Sequence, residues 1–476
     1  AEEYAGFASG LSVEHMPAEV IDMVKTDIFD TLACAMAGIT ATGVANLSRT
    51  VIDWGGKPEA TIWGSGARVP AHHAAWVNGM MAHARDFDDL HVPASLHAGV
   101  SVIPAALAAA ELTPGATGAD LLAGIAAGLE LASRLGLATT ISILESGYLY
   151  TALFGHFAAT VAAARVMRFD AEQTINALGI AYSQAAGTHQ VTRDSALTKR
   201  MQPGFAAKTA LISVAMVKAG ISGVRHTFEG EDGLFKSYLH GNYEPARLRE
   251  GLGQRFDLLG LSYKLYPCCG FAQVAIDTAR ELGKKVAANK IKRLTAYVNR
   301  ATHEIVGTPI EVRRAPQTTV QAQFSIPYTV ACALVNGTVT LKDFTEEGIR
   351  SPLLRDLAAR ISVEVDDAVE RERPGDMAPV RLVAETDDGT IEVRVNHPSG
   401  SLENPMTRDD FDLKMAGCQE ISGIAWPSGH IRNFREAIDG LENAPKAAFL
   451  TDFIVSRAKP DATPGGFREK PQSANT

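Results

Sequence analysis

Apolar residues recur at helical spacing through most of the first 261 positions of the chain. Residues 20–37 and 155–166 repeat them every three or four positions, and residues 120–135 add an acid, Asp120, at the expected N-terminal end. Alanine and glycine occupy many apolar positions, which lets neighbouring helix backbones approach closely. The pattern predicts a large all-helical domain over residues 1–261 and a mainly α protein.

The pattern changes near residue 262 to an alternation of apolar and polar residues, which is typical of strands. Residues 294–306 and 361–367 alternate in this way. Residues 380–397 read as a hairpin with its turn at Asp388 and Gly389, a dipeptide suited to positive φ. We therefore predict a smaller α+β lid domain over residues 262–399.

The last part of the chain returns to helical spacing. Residues 400–458 contain a candidate N-cap, Thr407, and a second helical run over 434–441, so we expect this segment to pack on the first domain. Residues 459–476 are rich in proline, glycine and polar residues, which predicts a mobile tail.

Composition narrows the class of protein. With 476 residues, of which 46% are hydrophobic, the chain is long enough for two or three domains with sizeable cores. A net charge of -9 argues against nucleic-acid or membrane partners. Five irregularly spaced cysteines do not make a disulfide framework, the first residues lack a secretory signal pattern, and the apolar runs are interrupted before bilayer length. We expect a cytoplasmic protein.

The most unusual stretch is MAHARDFDDLHVPASLHAG, residues 81–99, with three carboxylates, three imidazoles and an arginine. If a helix runs to Ala84, His83 and Asp86 lie one turn apart on the same face. A solvated loop is the simpler interpretation. A divalent metal site is a weaker alternative, because the spacing matches no standard motif, and we predict no metal. Its ligands would be His83, Asp86, Asp88, His91 and His97.

Three further stretches carry candidate chemistry. Residues 195–220 place Lys199 just before an apolar helix, where it and backbone amides would bind an anion. Residues 262–283 place Cys268 and Cys269 at the domain junction, and residues 320–337 place Tyr328 in the first turn of a helix. Taken singly, each has an ordinary structural interpretation as surface cations, buried thiols or a core aromatic.

Taken in order, six motifs resemble the MmgE/PrpD family, whose members include 2-methylcitrate dehydratase, cis-aconitate decarboxylase and iminodisuccinate epimerase. They are GSGAR (64–68), NGMMAHARDFDD (78–89), PAALAAAE (104–111), TKRMQPGFAA (198–207), KLYPCC (264–269) and AQFSIPY (322–328). The resemblance runs from about residue 5 to residue 450. It implies a helical domain with a lid, a homodimer, and a cofactor-free site between the domains. It also implies a lyase or isomerase that moves a proton next to a carboxylate of a small polycarboxylic acid.

The resemblance carries over to individual residues. Asp86, His97, Lys199, Lys264 and Tyr328 stand at positions that the family motifs share. His97 would act as base or acid, both lysines would bind carboxylates together with Arg200, and Asp86 would orient a histidine. Lysine and imidazolium suit this chemistry because they stabilise the charge that develops when the proton leaves.

The chain also departs from the family pattern at three histidines. Leu149, Gln202 and Gln273 stand where the family has imidazoles. His156 follows Leu149 by seven residues, on the same face if the segment is helical, and we predict that it joins the catalytic set. The predicted substrate-binding residues are Arg85, Arg200, Gln202, Cys269, Gln273 and Leu149.

Two other classes of function stay open at this stage. The loss of three histidines favours a family member that has lost catalysis and serves as a binding or structural protein. A hydrolase that uses Cys268 or Cys269 as nucleophile is weaker, because adjacent cysteines are more often buried and structural. The prediction we carry forward is a cofactor-independent lyase or isomerase.

Overall fold

A computed structural model describes residues 1–194, 196–373, 377 and 379–455. Helices dominate these residues and strands are few, which confirms the mainly α prediction. The predicted tail at 459–476 lies outside the described residues, as do the last three positions of the segment 400–458.

The larger domain consists of helices packed around one hydrophobic core. Side chains from residues 4–263 and from residues 411–454 form this core, together with Leu341. The predicted helices at 20–37, 120–135 and 155–166 all lie within helices of the structure. The α-helices of the first 261 residues are Glu2–Gly10, Ala18–Gly38, Val44–Trp54, Ala71–His83, Gly99–Leu112, Gly118–Ala138, Ile143–Ser146, Tyr150–Val166, Ala171–Tyr182, Gln190–Arg193, Thr198–Lys218 and Leu234–Leu239.

The helix Gly118–Ala138 shows how the core is built. A capping box begins it, in which Thr117 accepts from the Asp120 amide while the Asp120 carboxylate accepts from the Thr117 amide. Among the described residues it alone is long and apolar enough to span a membrane, contrary to our expectation that apolar runs end earlier. Because 94% of its apolar window is buried inside the protein, it has the surroundings of a core helix.

The smaller domain has a separate core, drawn from residues 266–393. The strands of the structure are β1 Ala60–Thr61, β2 Arg68–Val69, β3 Arg293–Val298, β4 Ile361–Val365, β5 Val380–Thr386 and β6 Gly389–Val395. The four-stranded sheet of the smaller domain has the order β4-β3-β5-β6, with β3 and β4 parallel and the other neighbours antiparallel. The larger domain holds the two-stranded pair β1 and β2. The helices of the smaller domain are Gly270–Gly283, Arg300–Thr302, Ile310–Arg314, Thr319–Gln323, Ile326–Asn336, Glu346–Ile349, Pro352–Ala359 and Asp367–Glu372, with a π-helix at His303–Gly307.

Two strand predictions were wrong in detail. The alternating run 294–306 is a strand only as far as Val298, because the Asn299 side chain accepts from the Thr302 amide and begins a helix. The hairpin turn consists of Asp387 and Asp388, since Thr386 pairs with Gly389. Gly389 is therefore the first residue of β6, where its φ is +120°.

The C-terminal segment returns to the larger domain. Thr407 begins the helix Arg408–Ile421 with a capping box, as predicted. The next helix, His430–Asp439, begins four residues earlier than the pattern indicated. The first of these helices packs on Ala18–Gly38 and delivers the buried side chain of Lys414 to the base of the site described below.

A close helix crossing brings two site residues together. The helices Ala71–His83 and Thr198–Lys218 touch where Gly79 meets Gly204. A Cβ atom on Gly204 would lie 2.2 Å from the Trp76 carbonyl oxygen, so only glycine permits this approach. The crossing sets His83, at the end of one helix, beside Lys199, in the first turn of the other.

Candidate active site

The site begins where the helix Ala71–His83 ends. Our expectation that His83 and Asp86 share a helical face was wrong, because the chain leaves the helix and Asp86 takes a φ of +55°. This conformation is uncommon for a residue with a Cβ atom. Lys264 Nζ donates to both the carbonyl oxygen and Oδ1 of Asp86, each at 3.0 Å, and so holds the conformation in place.

Asp88 holds two imidazoles through the same carboxylate oxygen. Its Oδ2 accepts from His83 Nδ1 at 2.8 Å and lies 3.2 Å from His97 Nδ1. His97 Nδ1 also donates to the backbone carbonyl of Asp89, and the His97 amide donates to Thr151 Oγ1 at 2.9 Å. With the Nδ1 hydrogen engaged, Nε2 is the nitrogen of His97 that accepts a proton.

The protonation states suit a base beside a cation. Burial lowers the pKa of His97 to about 4, against the opposing effect of Asp88, so the ring is neutral at pH 7. Burial alone would raise the pKa of Asp86, but Lys264 and Lys199 outweigh it and hold that pKa well below its usual range. In the same way His83 and His97 overcome burial and lower the pKa of Asp88.

Lys199 joins the two halves of this arrangement. Its Nζ lies 3.4 Å from His83 Nε2 and 3.8 Å from Asp86 Oδ1. The side chain retains 19% exposure, whereas that of Lys264 retains 3%. Lys199 is thus the lysine of the pair that can meet a ligand, and Lys264 supports Asp86 from below.

These groups open on a cavity of about 90 Å³. The His97 side chain, 17% exposed, faces it. The described residues that line the cavity are His83, Ser95, His97, Ile143, Leu149, Thr151, Ala152, Lys199, Gln202 and Pro203. Four predicted residues, His97, Lys199, Leu149 and Gln202, therefore meet at one place, although Gln202 also donates from Nε2 to the Thr188 carbonyl at 3.1 Å.

Tyr328 and Gln273 lie elsewhere, contrary to prediction. The Tyr328 hydroxyl is buried in the smaller domain, where it donates to the Asp343 carbonyl. The Gln273 amide group accepts from the Tyr266 amide and donates to the Tyr266 carbonyl, at 3.2 and 2.9 Å. The polar atoms of both side chains form hydrogen bonds with nearby backbone groups, which is a structural role.

His156 does not replace the family histidine in this arrangement. It follows Leu149 by seven residues in the helix Tyr150–Val166, which places it roughly 10 Å further along the axis. Its Nε2 accepts from the Ala186 amide at 3.4 Å, and burial lowers its pKa to about 4. Leu149, at the helix start, lines the cavity instead.

The two predicted arginines lie beside the lysines but outside the cavity lining. Arg85 donates from Nε to the Ala37 carbonyl and from Nη2 to Thr40 Oγ1, each at 3.0 Å. Burial, with the nearby charge of Arg200, lowers the pKa of Arg85 to about 10. The Arg85 guanidinium thus holds the end of the helix Ala18–Gly38 against the site loop.

The cysteines do not have the surroundings of a nucleophile. Burial raises the pKa of Cys269 to about 11, and it raises that of Cys268 well above its usual value. A thiol attacks as the thiolate, which both environments disfavour. Cys269 instead directly precedes the helix Gly270–Gly283, and its amide donates to the Gln323 carbonyl at 3.0 Å.

The weaker metal alternative also finds no support in the contacts. His91 Nε2 donates to the Asp257 carbonyl at 2.9 Å, and its Nδ1 accepts from the Ala94 amide. Within the part of the chain that the structure describes, no group of three His, Cys, Asp or Glu side chains is arranged to hold a metal ion.

Sequence reasoning missed an acidic layer beneath the site. Asp89 Oδ2 accepts from the amides of Ala98 and Gly99 at 2.8 and 3.1 Å and so begins the helix Gly99–Leu112. Asp27 and Asp30 lie behind it, both fully buried, and Lys414 Nζ lies 2.6 Å from Asp30 Oδ1. In sequence, Asp27 and Lys414 look like ordinary polar positions of surface helices.

This layer makes stability depend on pH. Burial, with Asp89 and Asp30 nearby, raises the pKa of Asp27 well above its usual value, and burial with Asp88 raises that of Asp89 to about 7. A carboxyl group with a raised folded-state pKa contributes stability at low pH, which is lost as the pH rises through the folded value. The contribution of Asp27 and Asp89 to the free energy of unfolding should therefore fall between pH 4 and pH 8.

Asp27→Asn should flatten this decline, because it removes one buried carboxyl group without changing its shape. Urea unfolding at pH 5, 6, 7 and 8 measures the effect, with Asp22→Asn as control because Asp22 is exposed on the same helix. We expect the gain of Asp27→Asn over the unmodified protein to grow with pH. If the free energy of unfolding fell equally with pH in Asp27→Asn and in the unmodified protein, the buried Asp27 carboxyl group would not be the cause of the decline.

Comparison with known proteins places the chain in a family. The MmgE/PrpD N-terminal domain matches residues 2–246, and the MmgE/PrpD C-terminal domain matches residues 266–422. The "Cis-aconitate decarboxylase-like protein oryM" of Aspergillus oryzae is 26% identical over 473 residues, covering 95% of this chain and 96% of the relative. The cis-aconitate decarboxylase of Aspergillus terreus is 25% identical over 474 residues, covering 95% of each chain. The 2-methylcitrate dehydratase of Cupriavidus necator is 24% identical over 407 residues, covering 80% of this chain and 81% of the relative.

The relatives named as decarboxylases and as a dehydratase place this chain among lyases. The two domain matches together cover more than half of the chain, which belongs to the MmgE/PrpD family.

Proposed function

We propose that this lyase transfers a proton at the carbon next to a carboxylate of a small carboxylic acid, without a cofactor. One observation carries the proposal: His97, with a pKa lowered to about 4, lines the same cavity as the Lys199 ammonium group. A neutral base and a cation within one enclosed space are what this proton transfer requires.

Each residue of the site has a separate role in the proposed proton transfer. Lys199 binds the substrate carboxylate and stabilises the negative charge that its oxygens gain as the C–H bond breaks. His97 Nε2 accepts the proton, and Asp88 stabilises the resulting imidazolium across the 3.2 Å contact with Nδ1. The contacts of Lys264 with Asp86 hold the loop that carries Asp88 and His97.

Both reaction types named among the relatives use such a proton transfer. In a dehydration, the electron pair of the broken C–H bond forms the double bond, and the departing hydroxide takes a proton from the His97 imidazolium and leaves as water. In a decarboxylation, carbon dioxide leaves with cleavage of the C–C bond, and the carbon that keeps the electron pair receives a proton from solvent by way of His97. His97 serves either direction.

Proton NMR in heavy water tests the proposal. The acids are cis-aconitate, 2-methylcitrate, malate and 3-hydroxybutyrate in separate tubes, and the readout is deuterium at the carbon next to a carboxylate, or turnover. We expect exchange or turnover with at least one acid. No exchange and no turnover with any of them, from a folded protein, would overturn the proposal.

Lys199→Ala is expected to lower kcat/KM for the reactive acid by about 10- to 100-fold, because a charge-assisted contact of roughly 1.5–3 kcal/mol is lost. Lys208→Ala is the matched control, since Lys208 lies in the same helix with its Nζ 4.3 Å above the Trp76 ring, outside the cavity lining. Equal kcat/KM for the two variants would show that Lys199 does not bind the substrate.

A further inference from the structure

The cavity lining is polar in part and apolar in part. His83, His97 and Lys199 supply titratable groups, and Ser95, Thr151 and Gln202 supply neutral polar ones. The apolar part of the lining consists of Ile143, Leu149, Ala152 and Pro203. Leu149 belongs to it because it precedes the helix Tyr150–Val166, where its amide donates to the Gly187 carbonyl at 2.8 Å.

The described lining of the cavity carries a single cation. Among the described lining residues, Lys199 supplies the only ammonium or guanidinium group. Behind it, Lys264 is charged because Asp86 and Asp88 overcome the effect of burial and raise its pKa. These two cations face two carboxylates, Asp86 and Asp88, whose pKa values are both lowered. The described lining therefore offers one cation, Lys199, to a substrate carboxylate, with Leu149 beside it where the family pattern has a histidine.

Two nearby arginines, Arg85 and Arg313, donate to the protein itself, and Arg200 is not among the described lining residues. Arg85 donates to the Ala37 carbonyl and to Thr40. Arg313 donates to the carbonyls of Thr308 and Ile305 at 2.8 and 2.9 Å. Burial lowers the pKa of Arg313, and Cys269 is close enough to oppose that shift. A second carboxylate against Leu149 would therefore lose its hydration without gaining a cation, which is costly.

We propose that the substrate carries one carboxylate, bound at Lys199 beside His97, and an uncharged apolar group that packs against Ile143, Leu149 and Ala152. This inference rests on the proposed function and narrows its substrate class to small monocarboxylic acids. It separates this chain from relatives that are named for acids with several carboxylates.

Malate and 3-hydroxybutyrate form the matched pair that tests the inference. Both have a CH₂ group next to a carboxylate and a hydroxyl group on the following carbon, and they differ by a carboxylate in place of a methyl group. We expect 3-hydroxybutyrate to bind at least about tenfold more tightly by calorimetry, and to exchange faster in heavy water.

Leu149→Arg should reverse this preference, because it places a guanidinium group among the apolar lining residues. Leu144→Arg is the matched control: it adds the same charge next to Ile143, but Leu144 is 54% exposed and is not among the lining residues. Thermal unfolding of both variants establishes that they fold.

The outcomes separate the two proposals. If 3-hydroxybutyrate is preferred and only Leu149→Arg reverses the ranking, the inference holds. Exchange or turnover with malate or a tricarboxylate, at equal or higher affinity than 3-hydroxybutyrate, would overturn the inference and leave the proposed function standing. No binding, exchange or turnover with any acid would overturn both.

Discussion

Replacing His97 with alanine is expected to lower the rate of proton exchange by about 10²- to 10⁴-fold, the range for loss of a positioned general base. The reason is geometric: His97 Nδ1 is held by the Asp89 carbonyl and Asp88, so that Nε2 meets the ligand in a fixed orientation. Exchange rates in heavy water measure the loss, and thermal unfolding checks that the fold persists.

His226→Ala is the control for this experiment. His226 is exposed on the surface of the same domain and does not line the cavity. Its exchange rate should equal that of the unmodified protein. If His97→Ala kept more than about a tenth of the exchange rate, the base would have to be another group.

Replacing Lys414 with methionine is expected to lower the free energy of unfolding by about 3–5 kcal/mol, the cost of removing one partner of a buried ion pair. Lys414 and Asp30 are 1% and 0% exposed and lie 2.6 Å apart. Without the ammonium group, Asp30 stays buried near Asp27 and Asp88 with no cation to offset it. Lys414 Nζ also donates to the Phe87 and Lys264 carbonyls, at 2.7 and 3.0 Å, so the site loop should loosen too.

Lys342→Met provides the matched comparison. Lys342 pairs with Glu420 at 2.7 Å, but both side chains are more than 60% exposed, so the loss should stay below about 1 kcal/mol. Urea unfolding gives both values. Similar losses for the two variants would show that the buried pair does not stabilise the fold in the way described.

Much of the fold was predictable because helical periodicity and capping residues act locally. The run 20–37 predicted the helix Ala18–Gly38 to within two residues, and Thr407 predicted the start of Arg408–Ile421. The strand prediction over 294–306 failed halfway for an equally local reason, since Asn299 caps a helix in the middle of an alternating pattern.

The site was predictable only in part, because its geometry depends on pairs of residues far apart in the chain. Lys264 and Asp86 are separated by 178 positions, and the conformation of Asp86 depends on their contact. Lys414, 327 positions from the Phe87 carbonyl it donates to, has no motif that distinguishes it from a surface lysine. Conversely, Tyr328 stands in a recognisable motif, but its hydroxyl donates to the Asp343 carbonyl and lies away from the site.

The most direct test of the central claim is the pH dependence of deuterium incorporation next to the carboxylate of the reactive acid. A base must be unprotonated, so the kcat/KM of exchange should rise with pH through about 4, the pKa of His97, and stay level from pH 5 to pH 8. The same profile in His97→Ala should lose this inflection together with the rate. An inflection that persists in His97→Ala, or one found only above pH 8, would contradict the assignment of His97 as the base.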